Sequence, residues 1–115
     1  MIYRKLEVYK QSIEFVAEIY NLTHSFPKSE LFGITSQIRR AAVSIPLNIA
    51  EGSAKSSQKD YARFLQIALG SATEIEAIFD IIIRINYLQK NQISDCSFAL
   101  FKIRKMLQSM INQRK

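Results

Sequence analysis

Apolar residues recur at steps of three and four along almost the whole of this 115-residue chain, and only short stretches interrupt the pattern. That spacing is the mark of helices that bury one face. Three Gly and two Pro are all that punctuate the chain, so long regular elements are expected and many short strands are not. Four helices are predicted, over about 3–23, 30–51, 58–87 and 94–112. Connections this short favour antiparallel neighbours, so the predicted fold is all-α: one domain spanning 1–115, an antiparallel up-down-up-down four-helix bundle.

Each predicted helix has a stripe. Helix 1 carries Leu6, Tyr9, Ile13, Val16 and Tyr20, and ends before "SFPKSE", where Pro27 cannot continue a helix. Helix 2 carries Ile34, Ile38, Ala41, Ala42, Ile45 and Ile49, with Gly52 as its expected stop, because glycine accepts a left-handed backbone. Helix 3 has Ser57 and Asp60 in a capping pattern, then Tyr61, Phe64, Leu65, Ala68, Ala72, Ile75, Phe79 and Ile82. Gly70 inside it costs about 1 kcal/mol relative to Ala, so the close approach of another backbone is expected there. Helix 4 carries Cys96, Leu100, Ile103, Leu107 and Met110.

Two helices are apolar on a second face as well. Val43, Leu47 and Ala50 lie off the core stripe of helix 2, and Ile67, Ile78, Ile81 and Ile85 lie off that of helix 3. A helix that is apolar nearly all round is buried nearly all round, which points to a second subunit. A wider stripe covered by long side chains or by the C-terminal segment is the competing arrangement. Pro46 lies within helix 2, where its ring crowds the carbonyl of Ala42 and a kink is expected. Arg40 and Glu51 fall on the side away from the core, eleven residues and roughly 16 Å apart, too far to pair within one helix.

The inventory for catalysis is thin. His24 stands near the end of helix 1, where a C-terminal dipole favours it, and one Cys with one His makes no zinc site. There is no Glu-x-x-His pair, phosphate-binding loop or dinucleotide fingerprint, so no enzyme, metal or cofactor is expected. Cys96 is placed in the first turn of helix 4, where a dipole lowers a thiol pKa, although its position on the apolar stripe favours an inert, packed group. A lone cysteine, no apolar leader and no membrane-length apolar run read as a cytoplasmic protein.

The positive signal is charge. The formal net charge is +6, and residues 31–70 and 91–115 hold the excess: five bases against two acids, and five against one. Lys55, Lys59 and Arg63 cluster at the helix 2–3 connection, and Lys102, Arg104 and Lys105 on helix 4. Lys and Arg on helix faces neutralise phosphates without reading sequence, so RNA or another nucleic acid is the partner this pattern suits. Solubility alone is the plainer account of the same charge. No recognition helix after a tight turn is visible, which argues against sequence-specific DNA reading.

The run "SQIRRAAVSIPLNIAEGSAKSSQKDYARFLQIALGSATEIEA" resembles the four-helix bundle family named for proteins encoded in 23S ribosomal RNA intervening sequences. The matching positions are Arg39-Arg40-Ala41, Ser44-Ile45-Pro46, Asn48-Ile49-Ala50-Glu51-Gly52, Phe64-Leu65, Ile67-Ala68, Gly70-Ser71 and Glu74, and the opening "YRKLEVYKQS" is also similar to the family's start. The resemblance implies a homopentameric ring with a basic surface. Relatives include accessory proteins of diversity-generating retroelements, which bind nucleic acid and a reverse transcriptase. It further implies that Arg39, Arg40, Pro46, Asn48, Glu51 and Gly52 are motif positions used first for packing and assembly, with the two arginines facing RNA as the second reading. A protein-interaction scaffold, for example an accessory subunit of a reverse transcriptase, is the rival to direct RNA binding.

Overall fold

A computed structural model describes residues 2–115. Among the described residues there are four α-helices and no strand: α1 Glu7–Thr23, α2 Ile34–Ser53, α3 Gln58–Arg84 and α4 Lys90–Asn112. They pack as a four-helix bundle 43 Å long and 23 by 20 Å across. Short 3-10 turns at Ile2–Lys5 and Lys28–Glu30 precede α1 and α2. No helix among the described residues is long and apolar enough to cross a membrane.

The helix ends follow local chemistry. Leu6 is extended, so the first helix begins at Glu7 rather than near Tyr3. Glu30 does not open α2; its carboxylate instead accepts from the Ile34 N–H at 3.3 Å and satisfies one of the free donors of that helix start. Ser57 caps α3 by accepting from the Asp60 N–H at 3.0 Å, as its sequence pattern predicts. At the other end α3 stops at Arg84, short of Tyr87, because Asn86 takes a left-handed backbone with φ 66°. The Tyr87 and Asn86 N–H groups then donate to the Ile82 and Ile83 carbonyls, both at 3.1 Å, which is the Schellman closure. α4 starts four residues earlier than the Ser94 of the sequence reading, since the Gln92 side chain accepts from the Gln89 N–H at 2.7 Å.

The core is built from Phe15 and Ile19 of α1, Ile38, Ile45 and Ile49 of α2, Leu65, Ile75 and Ile82 of α3, and Ile93, Leu100, Ile103 and Leu107 of α4, all fully buried. Side chains of this size stabilise the fold by about 1.5–3 kcal/mol each when removed from water. The stripes expected of α2, α3 and α4 are the ones that face inward. That of α1 is not. Ile13 and Tyr20 are exposed, and the buried face is Val8, Ser12, Phe15, Ile19 and Thr23. Two polar residues broke this stripe in the sequence, yet both are satisfied locally. The Ser12 hydroxyl donates to the Tyr9 carbonyl and that of Thr23 to the Ile19 carbonyl, each at 2.8 Å, so burying them costs little.

Contacts between helices join late residues of one to early residues of the next. Arg39 Nε donates to Thr23 Oγ1 at 3.0 Å, linking α2 to α1. Gly52 packs where α3 begins: a Cβ there would lie 2.8 Å from Phe64 Cβ. Gly52 is therefore the residue of a close helix approach, inside α2, and not a left-handed stop. Gly70 is the reverse case, with nothing within 4 Å of the position its Cβ would take. Pro46 sits buried inside α2, which continues through it to Ser53. Beside it Asn48 Nδ2 donates to the Ser44 carbonyl and hydroxyl at 2.8 and 2.9 Å, and Ser71 Oγ bonds Ser44 Oγ at 2.9 Å, stitching α2 to α3.

Candidate nucleic-acid and assembly surfaces

Three outward surfaces, with a row of isoleucines on α3 beside them, hold the residues that the sequence singles out. The first is the outer face of α2. Arg40, Val43, Leu47, Asn48 and Glu51 line an open groove of about 750 Å³, completed by Tyr20 of α1 and by Leu31 and Phe32 of the α1–α2 connection. Leu47 is 61% exposed and Phe32 95%. Among the described residues neither Arg40 nor Glu51 has an ion-pair partner. Arg39 differs from its neighbour: half-buried, its guanidinium lies 4.5 Å from the Tyr20 ring centre while it donates to Thr23. The two arginines are adjacent in sequence, but one is a packing residue and the other faces the groove. Ala50 is half-buried.

Ile67 and Ile81 of α3, and Ile85 just past its end, are exposed. Ile78 is not with them. It is 3% exposed and belongs to the core of the single chain, because α3 is covered on both sides of its stripe by α2 and α4.

The second surface is the α2–α3 connection. Lys55, Lys59 and Arg63 are all exposed. Lys55 Nζ and the Arg63 guanidinium share the Phe64 ring, at 5.1 and 4.7 Å from its centre. Arg63 has only a loose neighbour in Asp60, at 3.9 Å and largely in water, a contact of small value. Phe64 is half-buried, its Cβ set against Gly52 and its ring between the two cations. At the same end the Arg114 guanidinium lies 4.1 Å from the Tyr61 ring centre, and burial, the larger effect, pushes the Tyr61 phenol pKa up against the lowering charge of Arg114.

The third surface is α4, where the sequence cluster divides. Arg104 turns toward α3 and pairs with Glu76 at 3.1 Å, both groups partly covered. Lys102 and Lys105 stay exposed, over two aromatics that the sequence reading passed by: Lys102 Nζ is 4.9 Å from the Phe98 ring centre, and Lys105 Nζ 5.6 Å from that of Phe101. Phe98 is 62% exposed and Phe101 50%. The signal was present, since both fall opposite the Cys96–Leu100–Ile103–Leu107 stripe.

Cys96 is in the second turn of α4, not the first, so the helix start does not act on it. Burial, first, and then the charge and hydrogen bond of Glu18 push its thiol pKa up to about 12, and the thiol donates to Glu18 Oε2 at 3.6 Å. His24 is exposed just past α1. Among the described residues no group of three His, Cys, Asp or Glu side chains is placed to hold a metal ion.

The sequence model of the 23S rRNA-intervening sequence protein matches residues 4–109. The chain belongs to that family. A solved relative is similar throughout: a protein of unknown function from the S23 ribosomal protein family of Bacteroides thetaiotaomicron. It is 31% identical, with a TM-score of 0.83 over 91% of this chain and 95% of that one. No curated protein matches significantly. In this member of the family most motif positions have structural roles visible in the single chain. Arg39 ties α2 to α1, Asn48 anchors the serine pair, Gly52 admits Phe64, and only Arg40 and Glu51 are left facing outward.

Proposed function

We propose that this protein is a non-enzymatic, basic homo-oligomer that binds structured RNA or RNA–DNA through phosphate contacts. The observation that carries the binding half is the exposed group of Lys55, Lys59 and Arg63, with two of the three cations poised on one aromatic ring and one loose carboxylate neighbour among them. Lys102 and Lys105 extend the same charge along α4, whereas Arg104 is engaged with Glu76. The assembly half is supported by the α2 groove, where exposed Leu47 lies between Arg40 and Glu51, neither of them paired among the described residues, and by exposed Ile67, Ile81 and Ile85. Five copies in a ring is the stoichiometry that the family resemblance suggests.

The test is a titration of the purified protein against a structured RNA from low to physiological salt. Tight binding with a steep fall in affinity supports the proposal, since each neutralised phosphate releases counterions. Affinity lost by physiological salt would leave the charge as a solubility device. A second reading, a scaffold for a protein partner such as a reverse transcriptase, draws on the same groove: about 750 Å³ of largely apolar wall is ample for a side-chain anchor. A complex that forms with such a partner but not with RNA would favour it.

A further inference from the structure

Phe98, Phe101, Lys102 and Lys105 stand at i, i+3, i+4 and i+7 on α4, so they share one face of the helix. At 100° per residue that face is turned about 180° from the buried Cys96, Leu100, Ile103 and Leu107. α4 therefore has a complete apolar stripe for the core and, in addition, two phenylalanines set into water. Neither ring contributes to packing of the chain in proportion to its size, and each has a lysine ammonium over it.

We infer that this face of α4 is a stacking site for an unpaired nucleic-acid strand. The inference rests on the nucleic-acid reading above and names the form of the ligand. Two flat apolar rings alternating with two mobile cations match a ligand that alternates flat apolar faces with negative charges. A single strand does that with its bases and phosphates. A duplex keeps its base faces inside its own stack and offers a helix face little beyond phosphate. Rings at i and i+3 are about 5–6 Å apart at Cβ, close enough to take neighbouring bases of one strand. The lysines are held over the rings, so a strand that draws the ammonium groups to its phosphates also uncovers the surfaces on which its bases stack.

Charge sets the direction. Asp95 and Glu18 line the hollow beside Phe98, at the start of α4. The strand accordingly runs from Phe98 toward Lys105 and the C-terminal end, where Arg114 meets the start of α3 and its basic connection. An anionic bilayer is the other surface that takes Phe and Lys together. A membrane-seated helix inserts a broad apolar face, and the broad apolar face of α4 is already inside the bundle.

The experiment compares a short single-stranded RNA carrying 2-aminopurine with a blunt RNA duplex of equal length, at physiological salt. The probes are read by affinity and by the quenching that stacking produces. The combined variant Phe98→Ala, Phe101→Ala should weaken single-strand binding by at least about tenfold and abolish quenching, while duplex affinity stays within about twofold. Tryptophan at both positions should restore the strand. Lys102→Ala with Lys105→Ala should weaken both probes. Equal loss on both probes in the phenylalanine variant, or no loss on either, overturns the stacking site and leaves phosphate binding standing. Wild-type protein that binds neither probe overturns both proposals. Binding to phosphatidylserine vesicles without binding to the strand overturns it in favour of a membrane, and a fall in assembled mass on losing the two rings would reassign the face to a subunit contact.

Discussion

The outer faces of α2 and α4 both expose large apolar side chains, yet they are built in opposite senses. The α2 face is concave, with a groove whose floor is held by internal bonds. Arg39 is drawn to Thr23 and Tyr20, and Asn48 to Ser44. What remains outward is one acid, one base and Leu47. The α4 face instead sets Lys102 and Lys105 over two rings that are half or more exposed, with Asp95 and Glu18 confined to the hollow beside Phe98. A groove with balanced charge suits a protein surface of similar make, such as a second copy. A row of cations and rings suits a polyanion. The same apolar exposure thus carries different meanings according to the charges that frame it.

The sharpest way to break this contrast is one substitution on each face. Leu47→Asp should lower the assembled mass to smaller species with helix content largely kept, as should Ile81→Asp on α3. Phe98→Asp should leave the mass unchanged. Light scattering with circular dichroism decides it, and parental mass in both of the first two variants would remove the α2 and α3 faces from the interface. Next in size, Lys59→Ala with Arg63→Ala should weaken binding to unrelated RNA sequences alike and reduce the slope of log affinity against log salt by about 1.4–1.8, as expected for two lost phosphate contacts. Unchanged affinity would remove those two residues from the proposal.

The adjacent arginines provide a finer comparison. Arg39→Ala should cost about 1–2 kcal/mol of stability in urea unfolding, since it leaves Thr23 and Tyr20 without their partner, whereas Arg40→Ala should alter assembly more than the stability of the chain. Arg104→Ala should cost under about 1 kcal/mol, because its pair with Glu76 is partly exposed, and should leave the salt slope as it was. That outcome would separate Arg104 from Lys102 and Lys105, its neighbours in sequence. The smallest effect expected is in acid. The Tyr87 hydroxyl first, and the Ile34 N–H second, hold the Glu30 pKa below its ordinary value. The stability this provides is present above the unfolded carboxylate pKa and is lost as pH falls through the lower folded one. Glu30→Gln should flatten that acid limb in unfolding curves.

How much of this was legible beforehand depended on whether a residue's role was local. The stripes of α2, α3 and α4 stand out because their inward positions are almost uniformly apolar, and the Ser57 cap is a matter of three residues. The α1 stripe did not, because hydroxyls at Ser12 and Thr23 interrupt it and their bonds to carbonyls one turn back are invisible in a hydropathy pattern. The close approach expected at Gly70 is found at Gly52, where a left-handed stop is expected: a close approach depends on which neighbour arrives, and sequence alone does not rank the two. The division of Lys102, Arg104 and Lys105 likewise depends on Glu76, twenty-eight residues away from Arg104. Asn86 was the missed local signal, an amide side chain of the kind that tolerates the left-handed turn ending α3.

The hydrogen bond from the Tyr87 hydroxyl to Glu30 Oε2, at 2.7 Å, joins residues fifty-seven apart. It fastens the α1–α2 connection to the α3–α4 connection, where the Phe26 and Tyr87 rings also meet at 5.5 Å. The opposite end has the α2–α3 connection and its cations. The bundle is thus a clothes-peg with its hinge closed by an acid and a phenol, and Lys55, Lys59 and Arg63 sit at the jaws.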